Sequence, residues 1–306
     1  MVGHPIAVRV RKRIDKTMYF LRAPALALVG LMAAAPVWAQ TASQNVGVPH
    51  NWELSFQNSH SPVQAGIAGL HSLVIWLMTL VTIFVAALLG YCMWRFRASK
   101  NPVASRVSHH TVLEVAWTTI PVLILIIIAI PSFRLVYFQD RTDNADLTVK
   151  VVGHQWYWEY QYPDNGEFSY NSQMIPADEI KLEEGQIRNL SVDNRVVVPA
   201  NKNIRLLVTS GDVIHSFFIP SLGVQRYAIP GRTIETWVRV DGPGIYYGQC
   251  NQICGTNHSA MPIAVEALND ADFAAWIIGA KKKFAQGTTP QYTAIDSSAM
   301  TAEARQ

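Results

Sequence analysis

Charge is scarce in this 306-residue chain: 15% of residues are Asp, Glu, Lys or Arg, while 50% are hydrophobic. That balance excludes a disordered chain and is poor for a wholly soluble one; it fits a protein with membrane spans. Cysteine is scarcer still, with three in all. Three thiols exclude a disulfide framework. Cys92 lies inside an apolar run and reads as a small thiol facing lipid or a neighbouring helix. Cys250 and Cys254 stand four apart and need another explanation. There is no phosphate-binding loop, no G-x-S-x-G and no dinucleotide fingerprint, and the basic residues form no nucleic-acid patch. Lys and Arg are missing entirely from residues 40–66.

What is present begins with a leader-like segment. Arg9, Arg11, Lys12, Arg13 and Lys16 precede an apolar run over Ala23–Val37, and Val37-Trp38-Ala39 offers a small-residue cleavage site. Residues 1–39 therefore read as a signal peptide, the run being shorter than the ~20 residues of a spanning helix. An additional N-terminal span is the alternative. The mature chain would begin at Gln40, with 40–66 an extracytoplasmic segment. From Ile67 to Trp94 the chain is almost wholly apolar. At about 1.5 Å per residue that run reaches about 42 Å, enough to cross with tilt. Arg95, Arg97, Lys100 and Arg106 follow and place the connecting loop in the cytoplasm. A second span is predicted over Val112–Phe138, in which other packed helices can satisfy the backbone groups freed by Pro121 and Pro131. Residues 67–139 thus form an antiparallel hairpin with both ends outside. Glu114 is the one acid in either span. It reads as a carboxylate favoured by a helix N-terminus or as a proton entry point.

Beyond Asp140 the character changes. Residues 1–139 carry 11 Lys and Arg against 3 Asp and Glu, net +8; residues 140–306 carry 14 against 19, net −5. A basic partner would meet this acidic half. β-Branched runs at Leu147–Val152, Arg195–Pro199, Ile204–Thr209, Val213–Ile219, Thr233–Val240 and Ile263–Ala267 are separated by Gly and Pro, which predicts a β-sandwich. In the aromatic string Gly153-His154-Gln155-Trp156-Tyr157-Trp158-Glu159-Tyr160, a strand would put Trp156, Trp158 and Tyr160 on one face. Asp270–Lys283 reads as a helix capped by Asn269 or Asp270 and closed by Lys281, Lys282 and Lys283. The sandwich unit is placed at 140–285, and 286–306 is polar enough to read as a disordered tail.

The stretch Cys250-Asn251-Gln252-Ile253-Cys254-Gly255-Thr256-Asn257-His258-Ser259-Ala260-Met261 holds two thiols, an imidazole and a thioether; His215 adds an imidazole upstream. A blue-copper site needs two His, one Cys and a weak Met. This set exceeds it by one thiolate, so two sulfurs from one loop could bridge a pair of ions. A Cys250–Cys254 disulfide and a Cys₂His₂ zinc site are the rivals, and neither needs Met261 or His215.

Tyr246-Tyr247-Gly248-Gln249-Cys250-x₃-Cys254-Gly255-x₂-His258-x₂-Met261-Pro262, with Asp212-Val213-Ile214-His215-Ser216-Phe217 before it, closely resembles subunit II of the haem–copper cytochrome c oxidases, of the bacterial aa₃ type. The resemblance runs from about Ala65 to about Lys283. It implies a two-helix transmembrane hairpin followed by a cupredoxin-like β-sandwich, in the bacterial inner membrane with the sandwich periplasmic. It implies a dinuclear copper centre (CuA) held by His215, Cys250, Cys254, His258 and Met261, with the Gln252 backbone carbonyl. The family carries the same Gln-Trp-Tyr-Trp string, which maps electron entry from cytochrome c to Trp156. The family's Glu-x₂-Trp-Thr-x₂-Pro pattern maps entry to the K proton channel onto Glu114. Asp193 and Asp212 match docking carboxylates; Asp164, Glu167, Asp178 and Glu179 are looser candidates. The implied partners are subunit I, which would hold the haem and reduce oxygen with proton pumping, subunit III, cytochrome c and membrane lipid. One departure stands out: Gln252 replaces a Glu whose carboxylate helps hold Mg²⁺ or Mn²⁺ at subunit I, and a hard cation prefers the charged oxygen. The rivals are a copper-free quinol-oxidase subunit, a copper-delivery protein on a thioredoxin-like α/β domain, and a nitrous-oxide-reductase-like enzyme, whose large catalytic domain does not fit in this length.

Overall fold

The computed structural model describes residues 44–140 and 144–284. The expected signal peptide and the polar tail lie outside these residues. Two long helices come first, α1 (Pro62–Arg95) and α2 (Thr111–Asp140), and both are long and apolar enough to cross a membrane. α1 starts at Pro62 rather than Ile67 because its capping signal precedes the apolar run. Ser61 Oγ accepts from Gln64 N at 3.0 Å, and Pro62 occupies the first turn, where its missing N–H costs nothing. α2 opens on His110, whose Nδ1 accepts from Leu113 N at 3.2 Å, and continues through both prolines.

The rest is two sheets packed face to face. The strands are β1 (Asn45–Gly47), β2 (Leu147–His154), β3 (Tyr157–Tyr162), β4 (Phe168–Ser172), β5 (Val196–Pro199), β6 (Ile204–Ser210), β7 (His215–Ile219), β8 (Val224–Ala228), β9 (Ile234–Val238), β10 (Gly244–Cys250) and β11 (Pro262–Leu268). One sheet runs β4-β3-β2-β6-β9; the other runs β5-β11-β10-β7-β8, with β1 along β10. Alternation explains the core: Ile204, Leu206 and Val208 on β6 turn inward, opposite Phe217, Ile219, Ile263 and Val265. Trp158, Tyr160 and Tyr162 fill its centre, each fully buried. A last helix, α3 (Asp270–Phe284), begins where Asn269 Oδ1 accepts from Asp272 N at 2.9 Å, and covers one end of the core with Ile277 and Ala280.

Two expectations need correction. The aromatic string is not one strand: Gln155 and Trp156 form a two-residue turn between β2 and β3, closed by His154 opposite Tyr157. Trp156 therefore leaves the face shared by Trp158 and Tyr160. The strand expected from Val213 begins at His215, because Ser210 Oγ and the Asp212 carboxylate bind the backbone of 212 and 213 into a turn first. Ahead of the hairpin, Asn45 and Gly47 pair in parallel with β10, a strand that no sequence pattern announced.

The hairpin and the sandwich meet through hydrogen bonds. His60 N donates to Ser221 O at 3.0 Å, and Ser61 Oγ donates to Leu222 O at 2.7 Å. At the other helix, Trp237 Nε1 donates to Phe138 O at 2.7 Å and Thr236 Oγ1 to Gln139 O at 3.2 Å. Carbonyls left unpaired at the end of α2 are thereby satisfied by β9.

Candidate metal centre

β7 and β10 are hydrogen-bonded neighbours, with Cys250 opposite Phe217, so His215 at the start of β7 lies beside Cys250 at the end of β10. The chain then loops from Asn251 to Met261 before β11, folding the remaining donors back over these two. Cys250 Sγ is 4.0 Å from His215 Nδ1, 4.0 Å from Cys254 Sγ and 3.3 Å from Gln252 O. Cys254 Sγ is 3.6 Å from His258 Nδ1 and 3.5 Å from Met261 Sδ. Both cysteines and Met261 belong to the buried core, and the His215, Cys250 and Cys254 donor atoms all lie within 4.8 Å of one another.

The thiols are free, and their separation is about twice the ~2.05 Å of a disulfide. Six donor atoms are two more than one tetrahedral zinc uses. Two thiolates, two imidazoles, a thioether and a carbonyl form a set for a soft metal, and their chemistry fits copper.

Neighbouring groups hold the donors. His215 is fully buried, and its Nε2 sits 2.8 Å from Asp212 Oδ1, which leaves Nδ1 facing the thiols. A Cβ on Gly153 would stand 2.8 Å from the His215 ring, so glycine makes room for that imidazole. Partial burial raises the Asp212 carboxyl, but bonds from His215 and from the backbone N–H groups of Val213 and Gln155 outweigh it and hold the group below its ordinary value. Burial lowers His215, yet Cys250 and Asp212 bring its pKa above the usual imidazole range. Burial opposes ionisation of Cys250, but His215 and backbone donors pull it down to about 7. Burial and the neighbouring Cys250 thiolate push Cys254 up to about 12.

Trp156 packs on the ligand loop. Gly255 has φ +126°, and a Cβ there would lie 3.0 Å from Trp156 Cζ2 and 3.0 Å from Gln155 Nε2. Gln155 Nε2 donates to Cys254 O at 2.8 Å. The structure therefore brings together His215, Cys250, Gln252, Cys254, His258 and Met261, with Trp156 and Asp212 against them. Asp193 is elsewhere: its Oδ1 accepts from Gln173 N and Asn194 N, each at 2.7 Å, beside the cleft under α3. Glu114 is in the first turn of α2, its Oε1 accepting from His110 N at 3.3 Å. Of the looser acids, Asp164 is engaged locally by Thr148 N at 2.6 Å, while Asp178 and Glu179 are exposed. Gln155, Gly153 and Gly255 carry roles that sequence reasoning missed; the glycine beside each of these contacts was the available signal.

Two family models match. The model described as "Cytochrome C oxidase subunit II, periplasmic domain" covers residues 147–268, and the one described as the transmembrane domain of the same subunit covers 49–135. A probable cytochrome c oxidase subunit 2 of Rickettsia felis is 45% identical over 246 residues, which is 80% of this chain and 78% of the relative. The chain belongs to the cytochrome c oxidase subunit II family. The subunit 2 protein of Oenothera berteroana is 46% identical over 74% of this chain and 89% of its own. A solved periplasmic domain of subunit II from Bradyrhizobium japonicum is 49% identical and spans 47% of this chain and 99% of its own, with a TM-score of 0.44. As a subunit II, the chain is a membrane protein of a haem–copper oxidase complex and works beside other oxidase subunits. The all-β sandwich also removes the α/β copper-delivery alternative.

Proposed function

We propose that this subunit is where electrons from cytochrome c enter the oxidase, through Trp156 and a dinuclear CuA site held by His215, Cys250, the Gln252 carbonyl, Cys254, His258 and Met261. The observation that carries this is the convergence of six donors, with neighbouring separations of 3.3–4.0 Å, four of them on the buried side chains of His215, Cys250, Cys254 and Met261. Copper held there supplies reversible one-electron transfer. The residues do the rest. Asp212 fixes the His215 ring so that Nδ1 faces the thiols, and β7 and β10 set the ligand spacing before any metal arrives. Cys254 and Met261, the two buried side chains of the loop, anchor it to the core and limit movement of the donors between oxidation states. Trp156 presents an indole beside Gly255, with no intervening side chain.

The finer assignments follow the same reading. The sandwich is periplasmic and the Arg95–Arg106 loop cytoplasmic, in a bacterial inner membrane, with residues 1–39 removed as a signal peptide. The hairpin packs on subunit I, which holds the haem, with subunit III nearby. Glu114 stands at the cytoplasmic mouth of the K proton channel. Asp193 contributes to docking of a basic cytochrome c, whereas Asp212, with both oxygens engaged, serves the imidazole first. Gln252 removes a carboxylate from the Mg²⁺/Mn²⁺ site, which becomes weaker or empty; stoichiometric, tightly held Mg²⁺ in purified oxidase contradicts that. The main test is metal analysis of the purified complex. The expected result is two coppers per subunit II, both lost in Cys254→Ser; one zinc in their place rejects the proposal.

A further inference from the structure

We propose that Gln155 is a positioning residue that locks the Trp156 turn onto the ligand loop, and that this lock is what residue 155 contributes to electron entry. The inference rests on Trp156 being the entry point. Gln155 lies at an exposed turn, where a polar side chain ordinarily faces water or a partner. Both of its donors point inward instead. Its backbone N donates to Asp212 Oδ2 at 2.6 Å, and the other oxygen of that carboxylate holds His215 Nε2 at 2.8 Å. Its side-chain Nε2 donates to the carbonyl of Cys254 at 2.8 Å.

One residue thus ties a two-residue turn to both segments that carry the donors: through Asp212 to the start of β7, and directly to the loop between β10 and β11. The β2–β3 turn makes no other side-chain hydrogen bond to that loop among the described residues. Gly255 lets the contact close, since any side chain there would press on the Gln155 amide and the indole alike. Tunnelling rates fall steeply with the gap between donor and acceptor, so a loosened turn costs rate even when every ligand is in place.

A docking residue and a positioning residue leave different kinetic marks. The test compares wild-type oxidase with Gln155→Met, which keeps length and loses the donor, and with Gln155→Glu, which sets an acceptor against an acceptor; the second serves if the first does not assemble. For each, hydrogen exchange of the Cys250–His258 amides, the copper spectrum, and kcat and KM with cytochrome c are measured. The expected result is severalfold faster exchange around Cys254–Asn257, a retained copper spectrum, and a severalfold lower kcat at unchanged KM. A raised KM with kcat held makes Gln155 a docking contact and overturns the proposal. Loss of the copper spectrum makes it a residue of the metal site's own fold, and unchanged exchange with unchanged kcat removes its role; either overturns the proposal too. Trp156→Phe is measured in parallel. If it leaves kcat unchanged, the entry-point reading fails; if it slows turnover while both Gln155 variants do not, the lock alone fails.

Discussion

Gly153 stands where the candidate metal centre leaves no room for a side chain. A methyl group at this position meets the ring of His215 at 2.8 Å, and that ring is fully buried with an acid behind it. Gly153→Ala is expected to destabilise the domain by about 1–3 kcal/mol, the range for overpacking a core, and to weaken copper binding together with it. Thermal unfolding with and without copper checks both. A second residue-scale prediction concerns Glu159, whose bond to His154 is the main reason its carboxyl titrates below the ordinary value. A depressed carboxyl stabilises the fold above its unfolded pKa and loses that contribution as pH falls through the folded value. Glu159→Gln should therefore be less stable than wild type at neutral pH, by about 1 kcal/mol for one partly buried hydrogen bond, and the gap should close as pH drops below the ordinary carboxylate range. Denaturant titrations across pH measure this. At this scale the candidate donors were legible because four of them crowd into one short stretch, and a thioether has little purpose beside zinc. Gln155 was not legible: its value comes from two acceptors, Asp212 and Cys254 O, far away in sequence.

Secondary-structure elements position the site through their ends more than through their middles. β7 and β10 bring His215 to Cys250 only because one begins and the other finishes there. The same holds at the membrane junction, where Trp237 and Thr236 on β9 bind the last carbonyls of α2. Trp237 also meets Phe138 edge-on at 5.2 Å. Trp237→Phe keeps an aromatic side chain but loses the donor and part of the buried ring, so stability should drop by at least about 1 kcal/mol. Limited proteolysis between Asp140 and Leu147 should speed up, because the α2 end is released. Unchanged cleavage would show that this bond does not hold the junction. The two long helices were readable from hydropathy alone, and six of the strands from β-branched runs. β1 was not, because three residues carry too little pattern; it exists through pairing with β10. The Trp156 turn was misread as strand because alternation of aromatics looks the same on either side of a tight reversal.

For the molecule as a whole, the division of labour follows the charge. The basic half holds the two membrane helices and the loop between them, while the acidic half holds the sandwich with net −5 over residues 140–306. Turnover with a cationic cytochrome should slow as ionic strength rises, since exposed charges are screened within about 8–10 Å at physiological salt; a salt-independent rate removes electrostatic docking from the account. All of this presupposes that the converging donors share one electron across paired ions. The direct measurement is the electron paramagnetic resonance spectrum of the oxidised complex. The account predicts hyperfine structure from a single spin spread equally over two copper nuclei, with the sulfur-rich signal lost in Cys250→Ser. A spectrum from one isolated copper nucleus, or none from a protein whose Cys250 and Cys254 are joined to each other, would contradict it.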